Sequence, residues 1–369
     1  MPLITISGGG TGGHIYPAIG IANELIALDP TNEIVFIGGS NRLESKIVPQ
    51  HGFRFISIPV AGLPRKLTWR WLPIIGEVCA GFVYSLRLLK GLKPSVVVGT
   101  GGYVSGPVLF SASLLGIPTI VQEQNAYPGL TNRILGRWAK CVYLAFESAV
   151  SYFPVRVAKV TGNPIRRSIG GIKRSIATYE RFGLNANLKT VLVMGGSQGA
   201  HKINKIVIDA LVNLSAHNQQ LQIIHQTGEK DYQEVTDAYK SSPLRHLIQP
   251  YIDSIESVYS VVDLMICRAG GMTISEVTAC GIPAIFIPLP TAAANHQRLN
   301  AQAVADRGAG VVLNEELTTG ADVAECIIQI ITDSAKLQRM ATAARQMGNP
   351  KAGEEIATAI NSLLIPNKV

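Results

Sequence analysis

The amino-acid sequence predicts an α/β protein made of two doubly wound, parallel-sheet domains facing a cleft. Three observations carry that prediction. Short β-branched runs recur along the 369 residues, each leading into a glycine cluster and then into helical periodicity. The same pattern restarts near residue 190, after a basic, poorly periodic stretch. A hydrophobic fraction of 47% against 16% charged residues provides for two cores and excludes a disordered chain.

In chain order, Leu3-Ile4-Thr5-Ile6 reads as the first strand and precedes GGGTGG at 8–13. Ile34 to Ile37 precedes Gly38-Gly39, Val96 to Val98 precedes Gly99 to Gly102, and Ile117 to Val121 ends at Glu123-Gln124-Asn125. After the restart, Thr190 to Met194 leads into GGSQGA at 195–200 and Leu221 to His225 into Gln226-Thr227-Gly228. Leu264 to Cys267 leads into RAGG at 268–271, and Ala284 to Ile287 into a proline-rich turn. Strand–glycine–helix units of this kind make right-handed βαβ crossovers and a parallel sheet. The hinge between the halves is expected near 162–166, at GNPIR. Residues 95–122 and 277–295 are uncharged, but their glycines and prolines would leave backbone groups unsatisfied in lipid. Both read as buried strands with tight turns, and no transmembrane helix is expected.

The net charge of +8 fits a partner bearing phosphates, an anionic membrane surface or nucleic acid. Cys79, Cys141, Cys267, Cys280 and Cys326 are scattered, odd in number and form no C-x-x-C pair, as expected of reduced thiols in a cytoplasmic protein. The N-terminus runs straight into a glycine loop without a basic n-region, so no signal peptide is expected.

The glycine loops are the chemistry-bearing segments. GGGTGG lets the backbone approach an anion closely, and the helix that follows offers free N–H groups and the positive end of its dipole. A diphosphate suits it better than NAD, since the end of the second strand holds Gly38-Gly39-Ser40-Asn41-Arg42 where an acid would grip the ribose. Ser40 and Arg42 would instead suit the 2′-phosphate of NADP. His14, directly after the loop, and Glu123, at the end of a buried strand, are the two candidate general bases. Their bland alternatives are a packing or capping histidine and a structural hydrogen bond.

In the second half, Ser197 of GGSQGA can donate to a phosphate. After RAGG, the first helical turn is expected to carry Thr273, Ser275 and Glu276, and the two oxygens of Glu276 can take two vicinal ribose hydroxyls; compensation of the helix dipole is its alternative. Asn295-His296-Gln297 offers groups suited to sugar hydroxyls. No H-E-x-x-H, Walker A or D-x-D pattern occurs and the histidines are dispersed, so neither a metal nor a cofactor is expected.

Seven motifs in order, GGGTGGHIYPA (8–18), GTGGYVSGP (99–107), EQNAYPGLTNR (123–133), GNPIR (162–166), GGSQGA (195–200), RAGGMTISE (268–276) and NHQ (295–297), resemble the bacterial peptidoglycan N-acetylglucosaminyltransferases of the MurG family, within glycosyltransferase family 28. The resemblance spans almost the whole chain. It implies two Rossmann-like domains in the GT-B architecture. The first, 1–163, would serve the acceptor and the membrane, rejoined by a C-terminal helix at about 345–369. The second, 164–344, would hold the UDP-sugar donor. By the same resemblance, Thr11, Gly12 and Gly13 lie beside the donor sugar and acceptor diphosphate. Asn125 contacts the donor's N-acetylglucosamine and Arg166 lies on the nucleotide side. Ser197 binds donor phosphate, and the backbone of Ile252 reads uracil. Gly271, Met272, Thr273, Ile274, Ser275 and Glu276 embrace ribose and diphosphate. Gln297, with Asn295 and His296, grips the sugar hydroxyls. Two departures stand out: Gly271 replaces a usual alanine, and Ala294 an acid common before NHQ.

Residues 63–93 carry six basic residues against one acid. Within them Arg65, Lys66, Trp69, Arg70, Trp71 and Ile75 read as an anionic-membrane interface, whereas Val78 to Leu89 is expected to be a buried helix with a basic rim. Nucleic acid is not expected, because basic residues and aromatics do not interleave over a second surface.

The resulting expectation is an inverting enzyme that moves N-acetylglucosamine from UDP-N-acetylglucosamine to the 4-hydroxyl of undecaprenyl-diphospho-N-acetylmuramoyl-pentapeptide, converting lipid I to lipid II. It would be peripheral to the cytoplasmic face of the inner membrane. The alternatives are another GT-B glycolipid transferase, a UDP-sugar epimerase, an NADP-dependent oxidoreductase, or a basic membrane- or nucleic-acid-binding protein.

Overall fold

The computed structural model describes residues 1–60 and 71–364, with side chains except at 71–75. It divides into two compact units, Met1–Ile165 with Lys351–Val369, and Arg166–Pro350.

The first unit runs β1 (Leu3–Gly8), α1 (Gly12–Leu28), β2 (Glu33–Gly39), α2 (Leu43–Gln50), β3 (Arg54–Ile58), α3 (Trp71–Leu92), β4 (Val96–Gly101), α4 (Ser105–Leu114), β5 (Thr119–Glu123), α5 (Leu130–Leu135), β6 (Cys141–Leu144) and β7 (Ala158–Val160). All seven strands are parallel, in the order β3-β2-β1-β4-β5-β6-β7. The strands are apolar on both faces because helices cover both. Val96 and Val98 point to one core with Ile4, Ile6 and Phe36, while Val97 points to the other with Val108, Leu109 and Val121.

The second unit contains α6 (Ile176–Arg181), β8 (Lys189–Met194), α7 (His201–Leu214), β9 (Leu221–Gln226), α8 (Tyr232–Tyr239), β10 (His246–Gln249), α9 (Ile255–Tyr259), β11 (Leu264–Cys267), α10 (Gly271–Cys280), β12 (Ala284–Phe286), α11 (His296–Ala305), β13 (Gly310–Val312), α12 (Gly320–Ile331) and α13 (Ser334–Met347). Its six parallel strands lie in the order β10-β9-β8-β11-β12-β13. The final helix, α14 (Ala352–Leu364), belongs to the first unit, where Ile356, Ala357 and Ile360 join the α1 core. Residues 345–347, placed by sequence at the start of that returning helix, end α13 instead.

Strand order reverses between β1 and β4 in one sheet and between β8 and β11 in the other. Loops at the carboxyl ends of these strands are where open α/β sheets bind ligands. The pairing slips between Ser7 and Gly8, so that Gly8 lies opposite Gly101 where both loops begin.

One expectation fails in α3. Of the stretch Val78–Leu89, only Gly81, Ser85 and Leu89 are buried, while Cys79, Val83 and Tyr84 are exposed. The small residues sit against the protein, and Gly81 lies so near the Pro59 carbonyl that a Cβ would stand 2.6 Å from it. Val83 and Tyr84 are thereby left outside, while Leu89 alone of the larger apolar side chains in this stretch is buried. Arg65, Lys66, Trp69 and Arg70 lie outside the described residues, as do the side chains of Trp71 and Ile75.

Candidate active site

In the first unit the β1 loop ends on Thr11, which is exposed and in extended conformation as N-cap of α1. Gly12 and Gly13 open the helix, so their N–H groups have no acceptor within it and are available to an anion. His14 follows, half-buried. Its Nδ1 lies 3.0 Å from the Thr100 carbonyl and 2.8 Å from the Gln124 Oε1. Both partners are acceptors, so Nδ1 carries the proton and Nε2 keeps a lone pair. Gly101, at φ +105°, makes this approach possible, because a Cβ there would stand 2.9 Å from the His14 Nδ1.

Glu123 is buried, and its carboxylate is fully engaged. Oε1 accepts from the Asn125 backbone N–H at 2.9 Å and the Asn125 side chain at 3.2 Å. Oε2 accepts from the Gly129 N–H at 3.0 Å and the Asn132 side chain at 2.8 Å. A carboxylate has about four acceptor positions, and here four donors fill them. Glu123 thus shapes the 123–132 loop and sets half-buried Asn125 at its turn.

Sequence reading missed Glu44. Its fully buried carboxylate accepts from the Gly10 N–H at 3.0 Å and the Gly39 N–H at 3.1 Å, tying the β1 loop to the end of β2. Arg42 stacks over the Tyr103 ring at 5.8 Å. An acid soon after a strand-ending Gly-Gly pair was the available signal.

In the second unit the GGSQGA loop exposes Ser197 beside the start of α7. Gly199, at φ +76°, passes so close to the next loop that a Cβ would lie 2.0 Å from the Thr227 carbonyl. Gln226, also missed, joins three segments: its Nε2 donates to the Gly196 carbonyl at 2.9 Å, and its Oε1 accepts from the Ile252 N–H at 3.0 Å. The Ile252 N–H is therefore engaged within the protein.

Gly271, Met272, Thr273 and Ile274 form the first turn of α10, with Gly271 and Ile274 buried and Met272 and Thr273 half-buried. Ser275 and Glu276 fall in the second turn rather than the first, too far from the terminus for dipole compensation to be the role of Glu276. The Glu276 Oε2 accepts from the Tyr259 hydroxyl at 3.1 Å, and Oε1 pairs with exposed Arg166 at 3.6 Å. Burial raises the Glu276 carboxyl above the usual range, with Arg166 and the Tyr259 bond opposing. Burial also pushes the Tyr259 hydroxyl well up, so it stays a donor. Buried Asn300 of α11 donates to the Ala269 carbonyl at 3.1 Å and braces the loop. Arg268 is committed elsewhere, ion-paired with Glu315 and donating to the Ile287 carbonyl at 3.0 Å.

The turn into α11 is strained: Ala294 and Asn295 both have left-handed backbones, at φ +50° and +56°. The turn exposes Asn295. His296 Nδ1 donates to the Ala293 carbonyl at 2.8 Å. Gln297 Oε1 accepts from the Leu289 N–H at 2.9 Å, which orients its NH₂ group as a donor.

Residues 4–144 match the model of the glycosyltransferase family 28 N-terminal domain, and residues 190–356 that of the family 28 C-terminal domain. The chain belongs to glycosyltransferase family 28. A family relative from Myxococcus xanthus (strain DK1622), named UDP-N-acetylglucosamine–N-acetylmuramyl-(pentapeptide) pyrophosphoryl-undecaprenol N-acetylglucosamine transferase, is 39% identical over 99% of this chain and 94% of its own. The crystal structure of Acinetobacter baumannii MurG superposes with a TM-score of 0.81 at 30% identity, covering 98% of this chain and all of that one. The UDP-GlcNAc 2-epimerase from Neisseria meningitidis, solved bound to UDP-GlcNAc, shares the fold with a TM-score of 0.67 at 14% identity over 98% of this chain and all of its own. Family membership removes the NADP-dependent oxidoreductase alternative. The geometry agrees, since Glu44 holds the Gly10 and Gly39 N–H groups and Arg42 lies on the Tyr103 ring.

Proposed function

We propose that the chain transfers N-acetylglucosamine from UDP-N-acetylglucosamine to the 4-hydroxyl of undecaprenyl-diphospho-N-acetylmuramoyl-pentapeptide, with inversion at the anomeric carbon. The observation that carries this is the 39% identity to the M. xanthus transferase over 99% of the chain, both units included.

Each residue has a part in that chemistry. The acceptor's diphosphate takes the Gly12 and Gly13 N–H groups and the Thr11 hydroxyl. The His14 Nε2 lone pair accepts the proton of the sugar 4-hydroxyl as its oxygen forms a bond to C1 of the donor. The C1–O bond to UDP breaks on the opposite face, and its electron pair leaves with the β-phosphate. Glu123 is not the base on this account, because its four acceptor positions are filled; it holds Asn125 against the donor's acetamido sugar. Ser197 and the first turn of α10, Gly271 to Ile274, neutralise the departing diphosphate. Glu276 takes the ribose hydroxyls with Arg166 beside it, and Ser275 adds a hydroxyl to that pocket. The Ile252 carbonyl accepts from uracil N3–H. Gln297, Asn295 and His296 bind sugar hydroxyls.

The acceptor's polyprenyl chain requires a membrane, and we place the protein as a peripheral component of the cytoplasmic face of the inner membrane. Among the described residues, no helix is long and apolar enough to cross one. Support for a docking face comes from the exposed apolar side chains Tyr84, Phe110, Leu114 and Trp138, with Phe110 in ring contact with both Phe82 and Trp138. Exposed Arg87 and Lys90 share α3 with Tyr84, and exposed Arg137 and Lys140 flank Trp138 in the turn after α5. Aromatics among cations suit an anionic interface.

Steady-state kinetics of two variants test the assignment of the base. His14→Ala lowers kcat by about 10²–10⁴ with donor affinity unchanged. Glu123→Gln loses activity and thermal stability together. A soluble, stable Glu123→Gln that is as inactive as His14→Ala would make Glu123 the base.

A further inference from the structure

We propose that Gln124 is a positioning residue that fixes the tautomer of His14 through a chain of buried side-chain amides, a role that rests on His14 being the base. Gln122, Gln124 and Asn163 are at most 2% exposed. Three primary amides beneath one imidazole must satisfy one another, and the way they do so has a direction.

That direction is set by partners that cannot exchange roles. The Gln124 Nε2 donates to two backbone carbonyls, Thr100 at 2.7 Å and Gln122 at 3.0 Å, which fixes Oε1 on the other side, 2.8 Å from the His14 Nδ1. The Gln124 Nε2 also meets the Gln122 Oε1. Gln122 Nε2 donates to the Asn163 Oδ1 at 2.8 Å, and Asn163 Nδ2 closes the chain on the Gln124 backbone carbonyl at 3.3 Å. From Nδ1–H through Gln124, Gln122 and Asn163 the side-chain links run away from the imidazole, so each polarises the next in the same sense. The second Gln124 hydrogen returns to the Thr100 carbonyl that Nδ1 also faces. A flipped Gln124 amide would press its oxygen against two carbonyls. A His14 protonated on Nε2 would press its Nδ1 lone pair against the Thr100 carbonyl and the Gln124 Oε1, 3.0 and 2.8 Å away.

Two consequences follow for the reaction. The neutral imidazole presents its lone pair at Nε2 before any acceptor arrives, so no tautomerisation precedes proton uptake. Once Nε2 has taken the proton, the positive charge strengthens the Nδ1–H bonds to two oxygens already in place. An amide achieves this without an ion pair at the base.

The test is two-bond ¹H–¹⁵N NMR of ¹⁵N-histidine-labelled protein at alkaline pH, with steady-state kinetics of two variants. Wild-type His14 is expected in the Nδ1–H form. Gln124→Met leaves the Thr100 carbonyl as the remaining acceptor for Nδ1–H, so part of the population shifts toward Nε2–H and the loosened ring lowers kcat by about 10²-fold, with KM for UDP-N-acetylglucosamine unchanged. Gln124→Glu retains an acceptor for Nδ1–H, so it keeps the wild-type tautomer, while its second oxygen faces the Thr100 and Gln122 carbonyls in place of the Nε2 donor and lowers Tm. A merely structural Gln124 would leave the His14 tautomer alike in both variants, with only stability separating them. An Nε2–H form in the wild type, or an unchanged tautomer in Gln124→Met, overturns the proposal. A shifted tautomer with undiminished kcat upholds the hydrogen-bond chain and instead removes His14 as the base.

Discussion

The Tyr259 hydroxyl donates to the Glu276 carboxylate at 3.1 Å from a ring that is 3% exposed. With Arg166 it offsets part of the cost of placing a carboxylate in a half-buried pocket, yet burial still holds the Glu276 carboxyl above its ordinary range. A carboxyl raised in this way favours folding below its unfolded pKa and loses that contribution as pH rises through the folded value. Once ionised, Glu276 is thus a net cost to the free protein. Glu276→Gln is expected to raise Tm at pH 7 by on the order of 2 °C, a gain that disappears near pH 4. It weakens UDP-N-acetylglucosamine binding by about 1.5–3 kcal/mol for each charge-assisted hydrogen bond lost. Calorimetry and thermal unfolding check both; a lower Tm with unchanged donor affinity would make Glu276 a structural strut.

The backbone crossing at Gly199 yields a second prediction. Its left-handed φ and the Thr227 carbonyl 2.0 Å from where a Cβ would lie leave no room for alanine. Gly199→Ala is expected to cost about 1–3 kcal/mol of stability and to move the Ser197 loop, weakening UDP binding. Gly171→Ala is a control for the backbone alone, having φ +83° and nothing within 4 Å of the added Cβ. Equal donor affinity in both variants would mean that the crossing does not position Ser197.

The architecture was legible in the sequence because β1, β2, β4 and β8 run directly into glycine loops, and the restart near residue 190 marked the second sheet at β8, Lys189–Met194. His14, Glu123 and Glu276 were legible as ionisable groups beside strand ends. Their partners were not. Gln124 and Gln226 are amides whose importance lies in which carbonyl each one faces, and only the fold supplies that. A polar residue in a strand buried on both faces, such as Gln122 in β5, is the nearest sequence signal. The α3 expectation failed for a related reason: helical periodicity shows that a face is apolar but not what covers it.

The exposed aromatic face of the first unit predicts membrane behaviour. Replacing Phe110 and Trp138 with Ser is expected to weaken binding to anionic vesicles even at high salt, each fully buried side chain being worth about 1.5–3 kcal/mol. Replacing Arg87, Lys90, Arg137 and Lys140 with Gln removes about 1 kcal/mol per charge, an effect that fades as salt screens it. Donor affinity stays constant in both sets. Vesicle co-sedimentation equal to wild type in both would place the membrane contact elsewhere.

Transfer itself is the most direct test. Wild-type protein is incubated with UDP-N-acetylglucosamine labelled in the sugar, with and without undecaprenyl-diphospho-N-acetylmuramoyl-pentapeptide in anionic vesicles. The expected result is one UDP released per labelled sugar appearing in the lipid, joined by a β-1,4 bond, with no turnover when the acceptor is omitted. Donor consumed equally without acceptor, by hydrolysis or by epimerisation at C2, with no label reaching the lipid, would contradict the proposed function.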